Sequence, residues 1–459
     1  MNTNLKKAAL RSATCVAAFA IGTTGAYAQD AEADAATANP AQEIVVTGSL
    51  IRNPNLQSNP VLTTTADQIE LKQSNTAEDI LREIPGIVPS VGSAVNNDNG
   101  GASFVNLRGL GSNRNLVLLN GDRLVPAELN GRFDLNNIPV ALVERVDVLT
   151  GGASTTYGAD AISGVVNFVV KSDFTGLEAN VSNQITERGD GAYVRADLTM
   201  GADFDDGKGN VVFAVGYQQS DPVYQGDRSF AASSIDSYSG NISGSGTTSP
   251  SRFSNVNALG IDNGNGTRQI TADGTGFRTT SAFDAFNFNP YNIFQTPFER
   301  FNMFGQAKYE VSDAVEVYTR GIFSKNTVKT IIAPSGSFSG LSVVIPLSNP
   351  YMTAAQRNAF CARDMNSAAG VYTPLYTQAQ CDAAALATDP NDPNYRTVTT
   401  GLYRRATEFG PRVSEFTTTF FDYKAGARGG ITDSINWDVS GAYGESENIQ
   451  TQKGYWLNS

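Results

Sequence analysis

From about residue 173 onward, apolar and polar residues alternate along the chain in segments of roughly ten positions. An alternation with a period of two predicts β-strands that have one apolar and one polar face. Segments of this length are typical of antiparallel transmembrane β-barrel strands, which turn one face to lipid and the other to the lumen. Seven such segments can be distinguished, and their apolar positions are Leu177, Ala179, Val181 and Ile185; Val194, Ala196, Leu198 and Met200; Val211, Phe213, Val215 and Tyr217; Phe301, Met303, Ala307 and Tyr309; Val315, Val317 and Phe323; Thr417, Phe421, Tyr423 and Ala425; and Ile435, Trp437, Val439 and Tyr443.

The connections between these segments alternate between short and long. Tight polar turns are predicted at 205–210, 312–314 and 431–434, whereas long polar stretches occupy about 219–298 and 325–414. A membrane barrel has this alternation because every second connection faces the periplasm and the others face outside. A soluble β-sandwich does not require it, so the pattern favours a membrane barrel. We also expect Phe301 and Phe304 to belong to an aromatic girdle at the lipid interface.

Residues 53–172 have the pattern of a separate, mixed domain. Thr76 followed by Asp79 predicts a capping box at the start of a short helix. Asn120-Gly121 directly after an apolar run predicts a β-hairpin. Further strands are predicted at Val143–Leu149 and Val165–Lys171.

The first 28 residues have the pattern of a cleaved secretory signal peptide. Lys6, Lys7 and Arg11 precede a stretch of small and apolar residues that ends at Ala26-Tyr27-Ala28. We therefore expect the mature chain to be exported to an oxidising compartment. Residues 29–52 are predicted to be a disordered tail, because its Ala-, Asp- and Glu-rich start has no apolar face to bury. One short β-prone run, 43–48, lies within this tail.

Composition and charge exclude several classes of function. The 459 residues include 33 Lys and Arg, 45 Asp and Glu and no histidine, so the formal net charge is −12. This balance argues against a nucleic-acid partner, because phosphate binding needs a basic face. The absence of histidine excludes a Ser-His-Asp triad and His-ligated zinc. We expect no enzymatic activity, and we predict no catalytic residue, no metal site and no cofactor.

The three cysteines divide between the two ends of the chain. Cys15 lies in the predicted signal peptide, and Cys361 and Cys381 both lie in the second long polar stretch. A disulfide between the latter two is the leading interpretation for an exported chain. Two unpaired thiols are the alternative.

Several motifs resemble those of the TonB-dependent outer-membrane transporters. The run Glu43-Ile44-Val45-Val46-Thr47-Gly48 resembles the TonB box, although it is also interpretable as the first strand of the following domain. The later motifs resemble signatures of the plug domain in this family. They are Phe104–Gly111, Val117–Arg123, Glu144–Leu149 and Tyr157–Asn167.

The resemblance implies a mixed α+β plug domain followed by antiparallel transmembrane β-barrel strands. The expected domains are a signal peptide at 1–28, a disordered tail with the TonB box at 29–52, a plug at 53–172 and a partial outer-membrane barrel with long extracellular loops at 173–459. Arg108 and Arg145 lie in plug motifs, and we expect them to contact barrel carboxylates and hold the plug. The alternative is that both arginines are merely solvated.

The implied function is TonB-dependent active import of a scarce ligand, such as a siderophore, a vitamin or a glycan- or peptide-like nutrient. The implied location is the outer membrane of a Gram-negative bacterium. The implied partners are TonB with its inner-membrane energising complex, outer-membrane lipid, the barrel assembly machinery and an unknown small ligand. A passive porin or a surface-adhesin barrel without energy coupling is the alternative.

The length of the chain predicts an incomplete barrel. The seven segments take about 39 residues each, so a barrel of about 22 strands would need roughly 850 residues. A barrel of about eight strands has room only for side chains and could not contain a plug. We therefore expect an N-terminal fragment with a complete plug beside an open barrel wall.

Overall fold

The computed structural model describes residues 47, 60–72, 74, 76–88, 101–279, 283–312, 314–338, 340–432 and 435–456. All of them belong to one unit, Val45–Ser459. The predicted signal peptide and nearly all of the predicted tail lie outside the described residues, so their assignment stays a prediction.

Within the described residues, the chain forms twenty strands and five α-helices. The strands are β1 (Val61–Thr65), β2 (Asn115–Leu119), β3 (Asp122–Arg123), β4 (Val143–Thr150), β5 (Gly164–Val170), β6 (Gly176–Gln184), β7 (Tyr193–Phe204), β8 (Gly209–Ser220), β9 (Val223–Tyr224), β10 (Ser234–Ile235), β11 (Ile242–Ser243), β12 (Arg252–Val256), β13 (Gly266–Gln269), β14 (Ile293–Gln295), β15 (Phe298–Ser312), β16 (Val315–Ile332), β17 (Leu341–Pro346), β18 (Thr397–Tyr403), β19 (Arg412–Thr432) and β20 (Ile435–Lys453). The helices are α1 (Ala66–Lys72), α2 (Ala77–Arg82), α3 (Ser154–Tyr157), α4 (Ala354–Cys361) and α5 (Gln378–Leu386).

The first five strands form one mixed sheet, which we call the plug sheet. Its order is β1-β4-β5-β2-β3, and only β2 and β5 run parallel. Strands β2 and β5 are buried along their whole length, because apolar residues cover the sheet on both faces. The predicted hairpin at Asn120-Gly121 is confirmed, and both residues have the positive φ that this tight turn requires. The predicted capping box is confirmed at the start of α2, where Thr76 and Asp79 bond reciprocally.

The seven predicted alternating segments are confirmed as one antiparallel sheet, which we call the wall. Its order is β20-β19-β16-β15-β8-β7-β6, so β6 and β20 are the outer strands of this sheet in the described part of the chain. The predicted tight turn at 205–210 lies between β7 and β8. The predicted turns at 312–314 and 431–434 each include residues outside the described ranges, while the long connections run from β8 to β15 and from β16 to β19. The fold is therefore a mixed α+β plug followed by antiparallel barrel strands.

One prediction about the wall is wrong. Phe304 does not belong to a lipid-facing girdle, because its side chain is only 1% exposed, whereas Phe301 is 37% exposed. The two residues are three positions apart, and successive side chains of a strand point to opposite faces, so they cannot share a face. Phe304 lies with Ile322 and Phe420 of neighbouring wall strands in the same apolar cluster as the plug core.

The two long polar stretches fold together rather than separately. Strands β12 and β13 of the first stretch pair with β17 and β18 of the second in a four-stranded sheet of order β13-β12-β18-β17. Helices α4 and α5 pack beside this sheet around their own apolar cluster, which includes Val256, Leu347 and Phe360. Cys361 and Cys381, at the end of α4 and within α5, form a disulfide with a Cα–Cα distance of 6.2 Å.

None of the helices in the described ranges is long and apolar enough to cross a membrane.

Gly164 offers a test of the packing of the plug sheet. It begins β5 with φ of 149°, and a Cβ there would lie 2.3 Å from the carbonyl oxygen of Leu149. We expect Gly164→Ala to lower the free energy of unfolding by about 2 to 4 kcal/mol, through backbone strain and overpacking. Guanidinium titration in detergent followed by circular dichroism measures this change. Gly152→Ala is the matched control, since its nearest neighbour would be 3.9 Å away, and equal losses in both variants would contradict the packing argument.

Candidate functional site

A row of polar side chains crosses one face of the plug sheet. Thr63 in β1, Asp147 in β4 and Asn167 in β5 are direct register partners on neighbouring strands. Partners in register point to the same face of a sheet, so their side chains meet. Thr63 donates from Oγ1 to Oδ1 of Asp147 at 2.9 Å. Asn167 is fully buried and is the one polar residue in the otherwise apolar strand β5.

Thr47 lies on this polar row, and we call its place there the Thr47 seat. Its Oγ1 donates to Oδ2 of Asp147 at 3.1 Å and accepts from Nδ2 of Asn167 at 3.0 Å. Thr47 is only 4% exposed. Of the predicted box, Glu43, Ile44, Val45, Val46 and Gly48 lie outside the described residues, so the role of the run stays a prediction.

The β2–β3 hairpin is attached to β5 by two further hydrogen bonds. The backbone N–H of Gly121 donates to Oδ1 of Asn167 at 2.9 Å. The side-chain Oδ1 of Asn120 accepts from the backbone N–H of Val170 at 2.9 Å. These bonds help to fix the position of the next residue, Asp122, relative to β5.

Asp122 joins the plug to the wall through a group of four charges, which we call the latch. Its Oδ1 accepts from Nζ of Lys424 at 2.7 Å, and its Oδ2 accepts from Nη1 of Arg320 at 3.2 Å. Arg320 also donates from Nη2 to Asp422 at 2.9 Å. The two cations and two carboxylates balance, so removal of Asp122 would leave excess positive charge on the wall. The side chain of Asp122 is 32% exposed, which lets water reach the contact.

Arg300 of β15 makes a second polar contact between wall and plug. It donates from Nη2 to Oδ1 of Asn136 at 2.5 Å and from Nη1 to Gln218 of the wall at 3.1 Å. Asn136 lies in the 3₁₀ turn Leu135–Asn137, which Asp134 caps by accepting from the backbone N–H of Asn136 at 3.0 Å. The same oxygen of Asp134 accepts from the backbone N–H of Ser103 at 2.9 Å.

Burial changes the titration of Asp134. Loss of hydration raises the pKa of this carboxyl from its usual 3.8 to about 6, although the backbone donors of Ser103 and Asn136 and the positive charge of Arg300 act in the opposite direction. The nearby Glu78 adds to the rise through like-charge repulsion. The neutral carboxylic acid therefore persists to a higher pH at this position than in an exposed aspartate.

The two arginines predicted to hold the plug lie elsewhere on it. Arg145 is in β4, and its ion pairs with Glu144 at 3.8 Å and Asp147 at 3.4 Å lie within its own strand. Arg108 is exposed and has φ of 57°, and its backbone N–H donates to the carbonyl of Gly86 at 2.7 Å. A role for either in holding the plug stays a prediction.

Sequence reasoning missed the residues of the latch. Arg320 and Lys424 lie on the opposite parity from the apolar positions of their strands, which places them on the inward face. Two features of the sequence could have indicated the latch: a cation on the inward face of a wall strand, and the position of Asp122 directly after the predicted hairpin. No local sequence pattern indicates that Asp122 pairs with Arg320 and Lys424.

These contacts allow binding and release without covalent chemistry. No group of three or more His, Cys, Asp or Glu residues in the described part of the chain is placed to hold a metal ion. Hydrogen bonds and partly hydrated ion pairs can be exchanged for bonds to water as they break. The arrangement is suited to holding a domain in place while leaving it removable.

Comparison with known proteins identifies the plug. Residues 55–165 match the family model of the TonB-dependent Receptor Plug Domain. A mutant of the ferric enterobactin receptor from Pseudomonas aeruginosa, solved with enterobactin, is similar at 14% identity and a TM-score of 0.43, over 85% of this chain and 50% of that chain. The ferric preacinetobactin receptor from Acinetobacter baumannii is similar at 13% identity and a TM-score of 0.41. The match covers 87% of this chain and 48% of that chain. This chain thus spans about half the length of these receptors.

The latch generates a stability prediction. We expect Asp122→Asn to lower the opening free energy of the plug-sheet amides by about 2 kcal/mol, because Arg320 and Lys424 lose their shared carboxylate. Native-state hydrogen exchange of the chain in detergent measures this quantity. Asp160→Asn is the matched control, because Asp160 pairs with Arg123 on the plug itself at 2.8 Å and both are about half exposed. A latch variant that exchanges no faster than this control would contradict the assignment.

Asp134 generates a pH prediction. Between about pH 4 and pH 6 the folded protein binds a proton at Asp134 that the unfolded chain has released, so this residue's contribution to stability falls as the pH rises through that window. A rise from 3.8 to about 6 corresponds to about 3 kcal/mol. Asp134→Asn keeps the acceptor oxygen and cannot titrate. We expect its stability relative to the parent to increase from pH 4 to pH 7 in denaturant titrations, and parallel curves would contradict the shift.

Proposed function

Because residues 55–165 match the plug domain of the TonB-dependent receptors, we propose that this chain belongs to that family and serves TonB-dependent active import of a scarce ligand across the outer membrane of a Gram-negative bacterium. The ligand class is a siderophore, a vitamin or a glycan- or peptide-like nutrient. The observation that carries the proposal is a plug domain that is oriented against the wall strands by ion pairs and hydrogen bonds that water can replace, beside a shared apolar cluster. An importer needs such a plug, because the plug must seal the barrel and still yield under load.

The coupling partner in this proposal is TonB with its inner-membrane energising complex. An outer membrane has no nucleotide supply, so uphill import has to be driven by force transmitted through the periplasm. A short β-prone segment can pair with such a partner by adding a strand to it. The run 43–48 has the composition for this role, and Thr47 at the plug surface joins that run to the domain that has to move.

The outward face of the wall supports a location in lipid. In the interior wall strands β8, β15, β16 and β19, where exposed and buried positions alternate, Val211, Phe301, Val317 and Phe421 lie on the outward face, and each is 37% to 42% exposed. Apolar side chains on one face of a long strand are stabilised by lipid rather than by water. Outer-membrane lipid and the barrel assembly machinery are therefore partners in the proposal, which is not an enzymatic one.

Deletion of residues 43–48 tests the energy coupling. We expect the deletion to abolish accumulation of a supplied siderophore in cells that depend on this protein, because the partner loses the segment that it pulls. Outer-membrane abundance and heat-modifiability of the chain measure assembly and should be unchanged. A variant in which 43–48 is replaced by six residues of low β-propensity controls for tail length and should behave like the deletion.

The same experiment addresses the alternative function. A passive porin or a surface-adhesin barrel does not require energy coupling, so uptake or adhesion would be independent of residues 43–48. Uptake that survives both the deletion and the replacement, with normal assembly, would reject the import proposal in favour of that alternative.

A further inference from the structure

The Thr47 seat and the latch are connected by one side chain. Asn167 donates from Nδ2 to Oγ1 of Thr47 at 3.0 Å, and its Oδ1 accepts from the backbone N–H of Gly121 at 2.9 Å. The next residue after Gly121 is Asp122, which contacts Arg320 and Lys424 on the wall. Two hydrogen bonds and one covalent link therefore separate Thr47 from the plug–wall contact.

The chemistry of the groups determines the orientation of the Asn167 amide. The backbone N–H of Gly121 can only donate, so the oxygen of the amide has to face it. The nitrogen then has to face Thr47, whose hydroxyl accepts this bond and donates its own hydrogen to Asp147. A flipped amide would lose both bonds at once.

Burial makes these two bonds interdependent. Asn167 is fully buried with Thr47 in place, and a valine at position 47 would keep that space filled, so water could not readily replace the lost partner. Without Thr47, the amide nitrogen is an unsatisfied donor in an apolar strand, and the side chain has to rotate or the strand has to open to find a new partner. Either movement weakens the bond to Gly121.

Asp122 is held in place by a short hairpin strand and the turn before it. Strand β3 has only two residues, Asp122 and Arg123. The turn before it is attached to β5 through the side chain and backbone N–H of Asn120, in addition to the bond at Gly121. The Asn167 bond is thus one of several attachments of the hairpin, beside the pairing of Asp122 with Leu119 in the β2–β3 ladder and the contacts of Arg123 with Asp160 and with the carbonyl oxygen of Tyr157.

We propose that Asn167 is a positioning residue that couples occupancy of the Thr47 seat to closure of the latch. Withdrawal of Thr47 from the plug loosens the hairpin, and the contact of Asp122 with Arg320 and Lys424 weakens. Coupling between two sites is reciprocal, so opening of the latch also lowers the occupancy of the seat. The proposal rests on the import function for its biological meaning, because a pulling partner would withdraw Thr47, but the coupling itself is an equilibrium property of this chain.

Hydrogen exchange of the full chain in detergent tests the coupling in the direction from Thr47 to the hairpin. Thr47→Val keeps the shape of the side chain and removes the hydroxyl. We expect exchange of the Gly121 amide to become about fivefold faster, the effect of one ordinary hydrogen bond. Thr47→Ser retains the hydroxyl and should restore the parental rate.

Thr63→Val is the matched control. Thr63 donates to Oδ1 of the same Asp147 carboxylate from the neighbouring strand, so its hydroxyl bonds to Asp147 and not to Asn167. We expect this variant to leave the Gly121 amide within twofold of the parental rate. Equal acceleration by both valine variants would mean general loosening of the plug and would overturn the proposed route, as would an unchanged rate in Thr47→Val.

The reciprocal experiment uses the latch. Asp122→Asn should make exchange of the peptide that contains Thr47 faster, and combining it with Thr47→Val should produce less than the product of the two single effects on the Gly121 amide. Fully multiplicative effects would overturn the coupling. None of these measurements depends on uptake, so they test the coupling independently of the import function. If hydrogen exchange shows the coupling but uptake does not require residues 43–48, the proposed function is contradicted and the coupling is not.

Discussion

Each wall strand has to satisfy two environments at once, because successive side chains of a β-strand point to opposite faces. In β15 this places Phe301 on the outward face and both Phe304 and Arg300 on the inward face. The inward positions of the neighbouring strands carry Arg320 and Lys424. The plug therefore packs against an inward face that carries cations and aromatic rings, and the composition of the outward face of the same strands does not predict this.

The plug–wall contact combines apolar packing with ion pairs, and the two have different effects. Apolar side chains from both partners form one cluster, in which Phe133 of the plug packs edge-on against Phe420 of the wall with ring centroids 6.0 Å apart. Apolar burial stabilises in proportion to area and does not depend on direction. The ion pairs of Asp122 depend on direction, so they determine how the plug is oriented while the apolar cluster supplies cohesion. A contact built from polar groups alone would be easier to open than the one observed.

The sequence was sufficient for features that depend on near neighbours. The alternation of the wall strands, the Asn120-Gly121 turn and the capping box before α2 are local patterns, and each was predictable. Phe304 was mispredicted because its aromatic character was considered without its parity along the strand. The latch was not predictable, since Asp122 lies 198 residues from Arg320 and 302 from Lys424, and nothing local selects those partners.

Asn167 shows how the plug depends on a segment outside its own sheet. A buried amide in an apolar strand is destabilising unless its donors and acceptor are paired. The amide nitrogen of Asn167 donates to Thr47, which precedes the plug sheet in the chain. An aliphatic residue at position 167 would fill the strand without needing the tail, and it would also abolish the Thr47 seat. The pairing of this face of the plug therefore depends on Thr47, and in the proposed import function that dependence would transmit a pull on residues 43–48 to the domain.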